Sequence, residues 1–268
     1  MKDSVMKSSD QPRWFGVDQQ DGILSLALNN PPWNVLTTEM LEELEAELKR
    51  GSTDDRVRVV LIFGEGRGFC AGSSVQEHLP GKVEVMLPRF RQVLTRLGSF
   101  PVPTIAALHG VALGGGLELA CAADIVFAAE DTKIGQPEIG LGAMAPAALV
   151  FLPQRIGYHR AADLLFSGRQ ITAGEALTMG LVEFVCSDAE LLSEARKYAR
   201  LIAAHSGPVL REYKRALLQA SAHNDRRLQE MEELYLNEIV PQPDYLEGLK
   251  AFLEKREPRW QQAGEGEK

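Results

Sequence analysis

Apolar and polar positions change period several times along this chain. In residues 22–28 Ile23 and Ser25 fall on one face and Leu24, Leu26 and Leu28 on the other, the alternation of an outer strand, and Asn29-Asn30-Pro31-Pro32 ends it. Residues 38–50 switch to a helical period through Met40, Leu41, Leu44 and Leu48, with acids in the first turn and Lys49, Arg50 and Gly51 at the close. Residues 57–63 are apolar except for Arg58, so a strand buried on both faces is predicted, stopping at Gly64-Glu65-Gly66. A second buried strand is expected over Thr104–Leu108, and short strands over 125–128 and 181–185 alternate with helices. One of these helices opens on the capping-box pattern Thr172-Ala173-Gly174-Glu175. After about Asp188 strand signals stop, and helices are expected over 189–204, 209–221, 226–238 and 245–256. The pattern is an α/β core followed by a helical C-terminal region. Residues 1–12 and 263–268 are polar and aperiodic and are expected to fray.

Composition narrows the class. The 268 residues are 45% hydrophobic and 25% charged, enough for a full core and unlike a disordered chain. A net charge of -8 with no basic cluster argues against nucleic acid as a partner. Cys70, Cys121 and Cys186 show no metal-like spacing, and no apolar leader opens the chain, so a reducing, cytoplasmic setting is expected. The longest apolar runs, 57–63 and 143–152, fall well short of the roughly 18 residues of a membrane span.

The candidate chemistry begins at Gly114-Gly115-Gly116, which leads from the strand region into the helix-like Leu117-Glu118-Leu119-Ala120-Cys121. Unpaired N–H groups at such a helix start suit an anion or a carbonyl oxygen gaining charge, although a tight turn that only packs a helix on a sheet reads the same way. Glu118 shifts the balance, because a carboxylate among apolar helical neighbours is costly and its pKa tends to rise. A solvent-facing stripe would hold it without consequence. Gly135-Gln136-Pro137-Glu138 presents a second acid from a turn, where a glutamate is otherwise simply solvated. Gly68-Phe69-Cys70-Ala71-Gly72-Ser73 ends the segment after a central strand in a glycine turn that could supply another backbone donor. His78 and His109 lack metal-ligand partners at useful spacing and read as structural or surface residues.

These segments resemble the successive signatures of the crotonase (enoyl-CoA hydratase/isomerase) superfamily: Gly68-Phe69-Cys70-Ala71-Gly72, then His109-Gly110-Val111-Ala112-Leu113-Gly114-Gly115-Gly116-Leu117-Glu118, then Gly135-Gln136-Pro137-Glu138. The likeness runs from about Phe15 to Trp260 and includes Asn29-Asn30-Pro31-Pro32-Trp33-Asn34 and Phe252-Leu253-Glu254-Lys255-Arg256. It implies an α/β crotonase fold, a spiral of ββα units, with a core over residues 13–200 and a helical oligomerisation region over 201–262 that forms homotrimers or hexamers. It also implies an oxyanion hole made by the Ser73 and Gly115 N–H groups, with Glu118 positioning water and Glu138 delivering the proton. Ala71, Trp33, Met144, Phe151, Phe252 and Lys255 are the implied substrate contacts, the last two reaching the coenzyme A of a neighbouring subunit. The substrate is an acyl-CoA, coenzyme A entering as part of it, and neither metal nor redox cofactor is implied.

Two departures bear on the acyl group. Gly142-Ala143-Met144-Ala145-Pro146 lacks the family's usual Gly-Gly segment, and Ser73-Ser74-Val75 stands where an acid commonly follows the Ala-Gly turn. With Glu77-His78-Leu79-Pro80, these features resemble hydratases of cyclic dienoyl-CoA thioesters from anaerobic aromatic degradation. Trp33, Met86, Met144 and Phe151 would then build a flat apolar slot, or equally serve as ordinary core. The alternatives are an enoyl-CoA isomerase or other enolate chemistry on the same site, and a catalytically silent binding or scaffold homologue.

Overall fold

The computed structural model describes residues 14–220 and 224–260. The ends expected to fray, 1–12 and 263–268, lie outside the described residues, as do residues 13, 221 and 261–262 at the margins of the expected units.

Phe15–Gln20 (β1) and Ile23–Leu28 (β2) form an antiparallel hairpin closed by Asp21-Gly22, both at positive φ (54° and 79°), the two-residue turn that suits twisted strands. Thr38–Ser52 (α1) follows, with the Thr37 hydroxyl accepting the Met40 N–H at 3.3 Å. Val59–Gly64 (β3), Val83–Gly98 (α2) and Thr104–Leu108 (β4) complete the first half. Val111–Leu113 (β5), Gly115–Ala122 (α3), Ile125–Ala129 (β6), Lys133–Gly135 (β7), Pro146–Ile156 (α4) and Tyr158–Ser167 (α5) build the centre. Gln170–Thr172 (β8), Ala173–Met179 (α6), Phe184–Cys186 (β9), Asp188–Ala203 (α7) and Gly207–Ala220 (α8) come next. Asn224–Leu234 (α9) runs into a π-helical turn, Tyr235–Ile239, before Pro243–Glu254 (α10).

Among the described residues the strands form two sheets, ordered β1-β2-β3-β4-β6-β9 and β5-β7-β8, in which only the β1–β2 and β7–β8 pairs are antiparallel. The chain visits both sheets in successive turns, β4 then β5 before α3 and β6 then β7 before α4, which is the expected spiral of ββα units. Leu24, Leu26, Leu28, Val60 and Ile62 face a core shared with α1, α2, α3 and α4, while Ile23, Ala27, Val59, Leu61 and Phe63 face α7 through Leu191, Ala195 and Ala199.

The alternation in residues 22–28 assigns both faces of β2 correctly, but β2 is not an outer strand. β1 takes the edge and α7 covers the second face, so even Ser25 is buried. β1 lacks a sequence signal because four of its six residues are polar or glycine and only Phe15 is buried. α2 has a clean apolar stripe, Val83, Met86, Leu87, Phe90, Val93, Leu94 and Leu97, interrupted by the breaker Pro88. Beyond α7 the chain folds back over its own core. The Lys214 ammonium on α8 pairs with Asp124 after α3, α9 lies against α2 and α4, and α10 packs on the turn after β7.

Candidate active site

The glycine-rich segments bring two backbone donors together. On one side, Cys70 N–H donates to Val111 O (3.1 Å), Ala71 N–H to Trp33 O (2.9 Å) and Ser74 N–H to Leu36 O (2.8 Å), while Leu36 N–H reaches Gly72 O (2.9 Å). Every neighbour is thus tied down, and among the described residues the Ser73 N–H has no protein acceptor. On the other side, Gly114 (φ 52°) turns the chain from β5 into α3, leaving the Gly115 N–H at the helix start, also without a protein acceptor among the described residues. A Cβ on Gly115 would lie 2.6 Å from the Ser73 Oγ and 3.3 Å from the Ser73 nitrogen, so the two donor residues are immediate neighbours. The triplet is obligatory for packing: a side chain at Gly114 would fall on Oε1 of Glu138, and one at Gly116 on the Cys70 carbonyl.

The two acids converge on this space from different elements and in different states. Glu118, on α3, is buried, and its Oε1 accepts the Ala148 N–H at 2.8 Å, at the N-terminus of α4. Burial pushes its carboxyl up to about 7, while the Ala148 and Ala147 N–H groups favour the ionised form. Glu138 sits in the helical turn Pro137–Leu141; the residue as a whole is half-buried, but its Oε2 is enclosed and has no partner among the described residues. Burial pushes its carboxyl up to about 8, and the Glu118 charge pushes it the same way. Neither acid is the solvated bystander the sequence left open. Gln136, buried just before this turn, also has neither amide atom partnered among the described residues.

Several wall residues carried no sequence signal. Phe90 on α2 places Cζ 3.4 Å from the Cβ position of Gly115. Tyr235, fully buried in the π-helical turn, donates its OH to Tyr245 OH (3.3 Å), which donates to the His78 carbonyl. Burial first, then the Tyr245 phenol, and finally the charges of Glu138 and Glu118 push the Tyr235 phenol upward. His78 and His109 each bond a backbone carbonyl, Ser74 O at 2.9 Å and Gly66 O at 3.2 Å, and play structural parts.

The expected substrate contacts divide. Ala71 lies in the donor loop, and Trp33 beside it is 37% exposed with the Arg67 guanidinium 5.7 Å over its ring. Met86 is fully buried within α2, and Met144 packs half-buried on the same core. Phe151 is a correction: it lies one turn beyond Ala147 and Ala148 on α4 and lines a separate cavity, of about 780 Å³, with Cys121, Asp124, Arg155 and Lys214. The four-residue slot therefore does not assemble as expected. Phe252 is 54% exposed and Lys255, at φ 54° closing α10, is also exposed. Among the described residues no group of three or more His, Cys, Asp or Glu side chains is placed to hold a metal, and no helix is long and apolar enough to cross a membrane.

A family model described as enoyl-CoA hydratase/isomerase matches residues 18–263. The chain is 38% identical over 257 residues to the cyclohexa-1,5-dienecarbonyl-CoA hydratase of Thauera aromatica, covering 96% of this chain and 99% of that protein. It is 39% identical over 252 residues to a probable enoyl-CoA hydratase of Bacillus subtilis (strain 168), covering 92% and 97%. The solved enoyl-CoA hydratase/isomerase of Pseudoalteromonas atlantica T6c superposes with a TM-score of 0.84 at 29% identity, over 93% of this chain and all of that one.

Proposed function

Because the chain belongs to the enoyl-CoA hydratase/isomerase family, we propose that it is a hydro-lyase adding water across the α,β double bond of an enoyl-CoA thioester. The observation that carries this reading is the unequal acid pair beside two uncommitted N–H donors.

The thioester oxygen sits between the Ser73 and Gly115 N–H groups, each such donor supplying on the order of 3 kcal/mol of transition-state stabilisation. Near neutral pH the pair holds one proton. Glu138, with its enclosed and unpartnered oxygen, keeps it; Glu118, facing the N-terminus of α4, is the carboxylate. Glu118 takes a proton from water as its oxygen bonds to the β-carbon, and the double-bond electrons move onto the thioester oxygen. Glu138 then protonates the α-carbon of the enolate, giving the hydroxyacyl thioester, and proton transfer from Glu118 to Glu138 resets the pair. Water, the thioester and the two carboxylates complete this chemistry, with coenzyme A entering as part of the substrate.

For the acyl group we favour a cyclic dienoyl thioester, on the strength of the likeness to the Thauera aromatica enzyme and of the aromatic ring of Phe90 beside Gly115. A homotrimer or its hexameric pairing is supported by an unpartnered apolar stripe on α8, where Val209, Tyr213 and Leu217 are 51%, 70% and 67% exposed. The free thiols Cys70, Cys121 and Cys186 suit a cytoplasmic setting. Turnover of crotonyl-CoA and a cyclic dienoyl-CoA in oxygen-18 water tests the reading. Heavy oxygen in the product, with the cyclic substrate preferred, is expected; a rearranged product without heavy oxygen would make the enzyme an isomerase.

A further inference from the structure

The segments that carry Ser73 and Glu138 are tied to β5 at their upstream ends. The Leu113 N–H donates to Cys70 O at 3.0 Å, and the Gly114 N–H donates to Gly135 O at 2.9 Å. Downstream, each leaves the sheet as a single helical turn, Val75–His78 after Ser73 and Pro137–Leu141 around Glu138. Among the described residues no hydrogen bond joins one turn to the other, but α10 meets both. Tyr245 of α10, fully buried, donates its OH to the His78 carbonyl, and the His78 ring bonds Ser74 O at 2.9 Å, next to the donor residue. About one helical turn further along, α10 approaches the Glu138 turn backbone to backbone: a Cβ on Gly248 would lie 2.1 Å from Leu141 O. The Asp244 carbonyl stands 2.7 Å from the Cβ position of Gly142, which closes that turn. The Trp260 ring packs against both glycines, 3.2 Å from the Cβ position of Gly142 and 3.0 Å from that of Gly248.

Resting on the hydration reading above, we propose that α10 is a strap that sets the distance between the Ser73 donor and the Glu138 acid, with Tyr245 and Gly248 as its positioning residues. Leu36 pairs with Gly72 O and with the Ser74 N–H, so the Ser73 N–H points away from Leu36. Its aim then follows the turn Val75–His78, which Tyr245 holds through the His78 carbonyl, just as the aim of the Glu138 carboxyl follows the turn Pro137–Leu141. Both groups must meet one thioester, the donor at its oxygen and the acid at the adjacent carbon, and a misplacement of about 1 Å between such groups costs about 10²-fold in rate. Gly248 serves the same end. A glycine inside a helix weakens it relative to alanine, and here that loss is offset by the close approach of α10 to Leu141.

Acetoacetyl-CoA tests the strap without turnover, because its acidic α-carbon ionises to an enolate with its own ultraviolet band and the enolate oxygen needs the same donors. Butyryl-CoA, which is far less acidic, reports ordinary binding. Tyr245→Phe should lower the affinity for acetoacetyl-CoA relative to butyryl-CoA about fivefold, with the enolate band falling in step. Its kcat for crotonyl-CoA should fall about tenfold with KM little changed. Gly248→Ala should act in the same direction and more strongly, with kcat down about 10²-fold. Lys214→Met, which loosens the far end of α3, should keep the wild-type affinity ratio and so separates positioning from loss of stability. Either strap variant, folded and within twofold of wild type in both ratio and kcat, overturns the proposal. If neither folds, hydrogen exchange of the wild-type enzyme decides. Saturating acetoacetyl-CoA should slow exchange of amides 245–253 at least about threefold more than butyryl-CoA does, since such coupling is reciprocal, and equal protection overturns the proposal. A changed affinity ratio in an enzyme that hydrates no enoyl-CoA keeps the strap and discards hydration, whereas hydration with unchanged ratios does the reverse.

Discussion

Helices α3 and α4 run from the reaction centre to a separate cavity, and their two ends teach different lessons. At the N-terminal ends lies the reaction centre, cramped and incompletely satisfied: Ser73 and Gly115 N–H groups without protein acceptors among the described residues, Glu138 Oε2 and the Gln136 amide enclosed without partners. At the C-terminal ends lies the cavity of about 780 Å³, in which the charged groups are matched. There Lys214 pairs with Asp124, Arg215 with Glu212, and Arg155 holds the Cys121 and Ala123 carbonyls. Volume therefore does not locate the chemistry of this protein. Unmet hydrogen-bonding capacity does, because folding tolerates buried polar atoms without partners only where a ligand or water completes them.

Substitutions at the two ends should differ in kind. The largest expected effect is at Glu138: Glu138→Gln keeps the shape but removes the proton donor, and steady-state assays should show kcat down by about 10²–10⁴ with KM little changed. Gly115→Ala follows. Its Cβ would stand 2.6 Å from the Ser73 Oγ and 3.3 Å from the Ser73 nitrogen, so Ser73 must shift, and kcat should fall by about 10²–10³ while the chain still folds. At the other end, Lys214→Met should leave kcat within about twofold but lower unfolding stability by about 2 kcal/mol, read by urea denaturation. That is less than a fully enclosed pair would lose, since Asp124 is 34% exposed and keeps its bonds from Thr104. Comparable loss of turnover in Lys214→Met would erase the contrast.

The smallest effect concerns pH. Glu118 and Glu138 have folded-state pKa values raised from 4.5 to about 7 and about 8, so the stability they allow is fully present below about pH 4.5 and drains away as pH rises through those values. Glu138→Gln should match wild type in thermal unfolding near pH 5 and exceed it near pH 9 by several degrees, at about 2–4 °C per kcal/mol. Equal midpoints at both values would mean that the carboxyl is better hydrated than its enclosed Oε2 implies.

Much of this was legible in the chain itself. The glycine triplet and the two acids draw attention by their chemistry, but it is the resemblance to the crotonase superfamily that singles out Ser73, Gly115, Glu118 and Glu138 together, and the structure brings those four residues close to one another. Strands buried on both faces, such as β3 and β4, and the capped helices α1 and α6 follow directly from periodicity and capping. The walls of the site were hidden because they depend on packing between distant elements. Phe90 sits on a helix masked by Pro88, and Tyr235 lies in the helix expected over 226–238, whose period does not say what that ring packs against. Phe151 misled for the complementary reason, since an aromatic residue three positions after Ala148 looks close in sequence but lies a turn farther along α4, facing the other cavity.

The division of labour between Glu118 and Glu138 is best tested by the pH dependence of kcat/KM for enoyl-CoA hydration. A pair that works with one proton predicts a bell, falling on the acid side as Glu118 is protonated and on the alkaline side as Glu138 ionises, with both limbs well above the ordinary carboxylate range. In the residual activity of Glu138→Gln the alkaline limb should vanish. A wild-type profile that stays flat from pH 5 to 9 would contradict the assignment of these two carboxylates as acid and base.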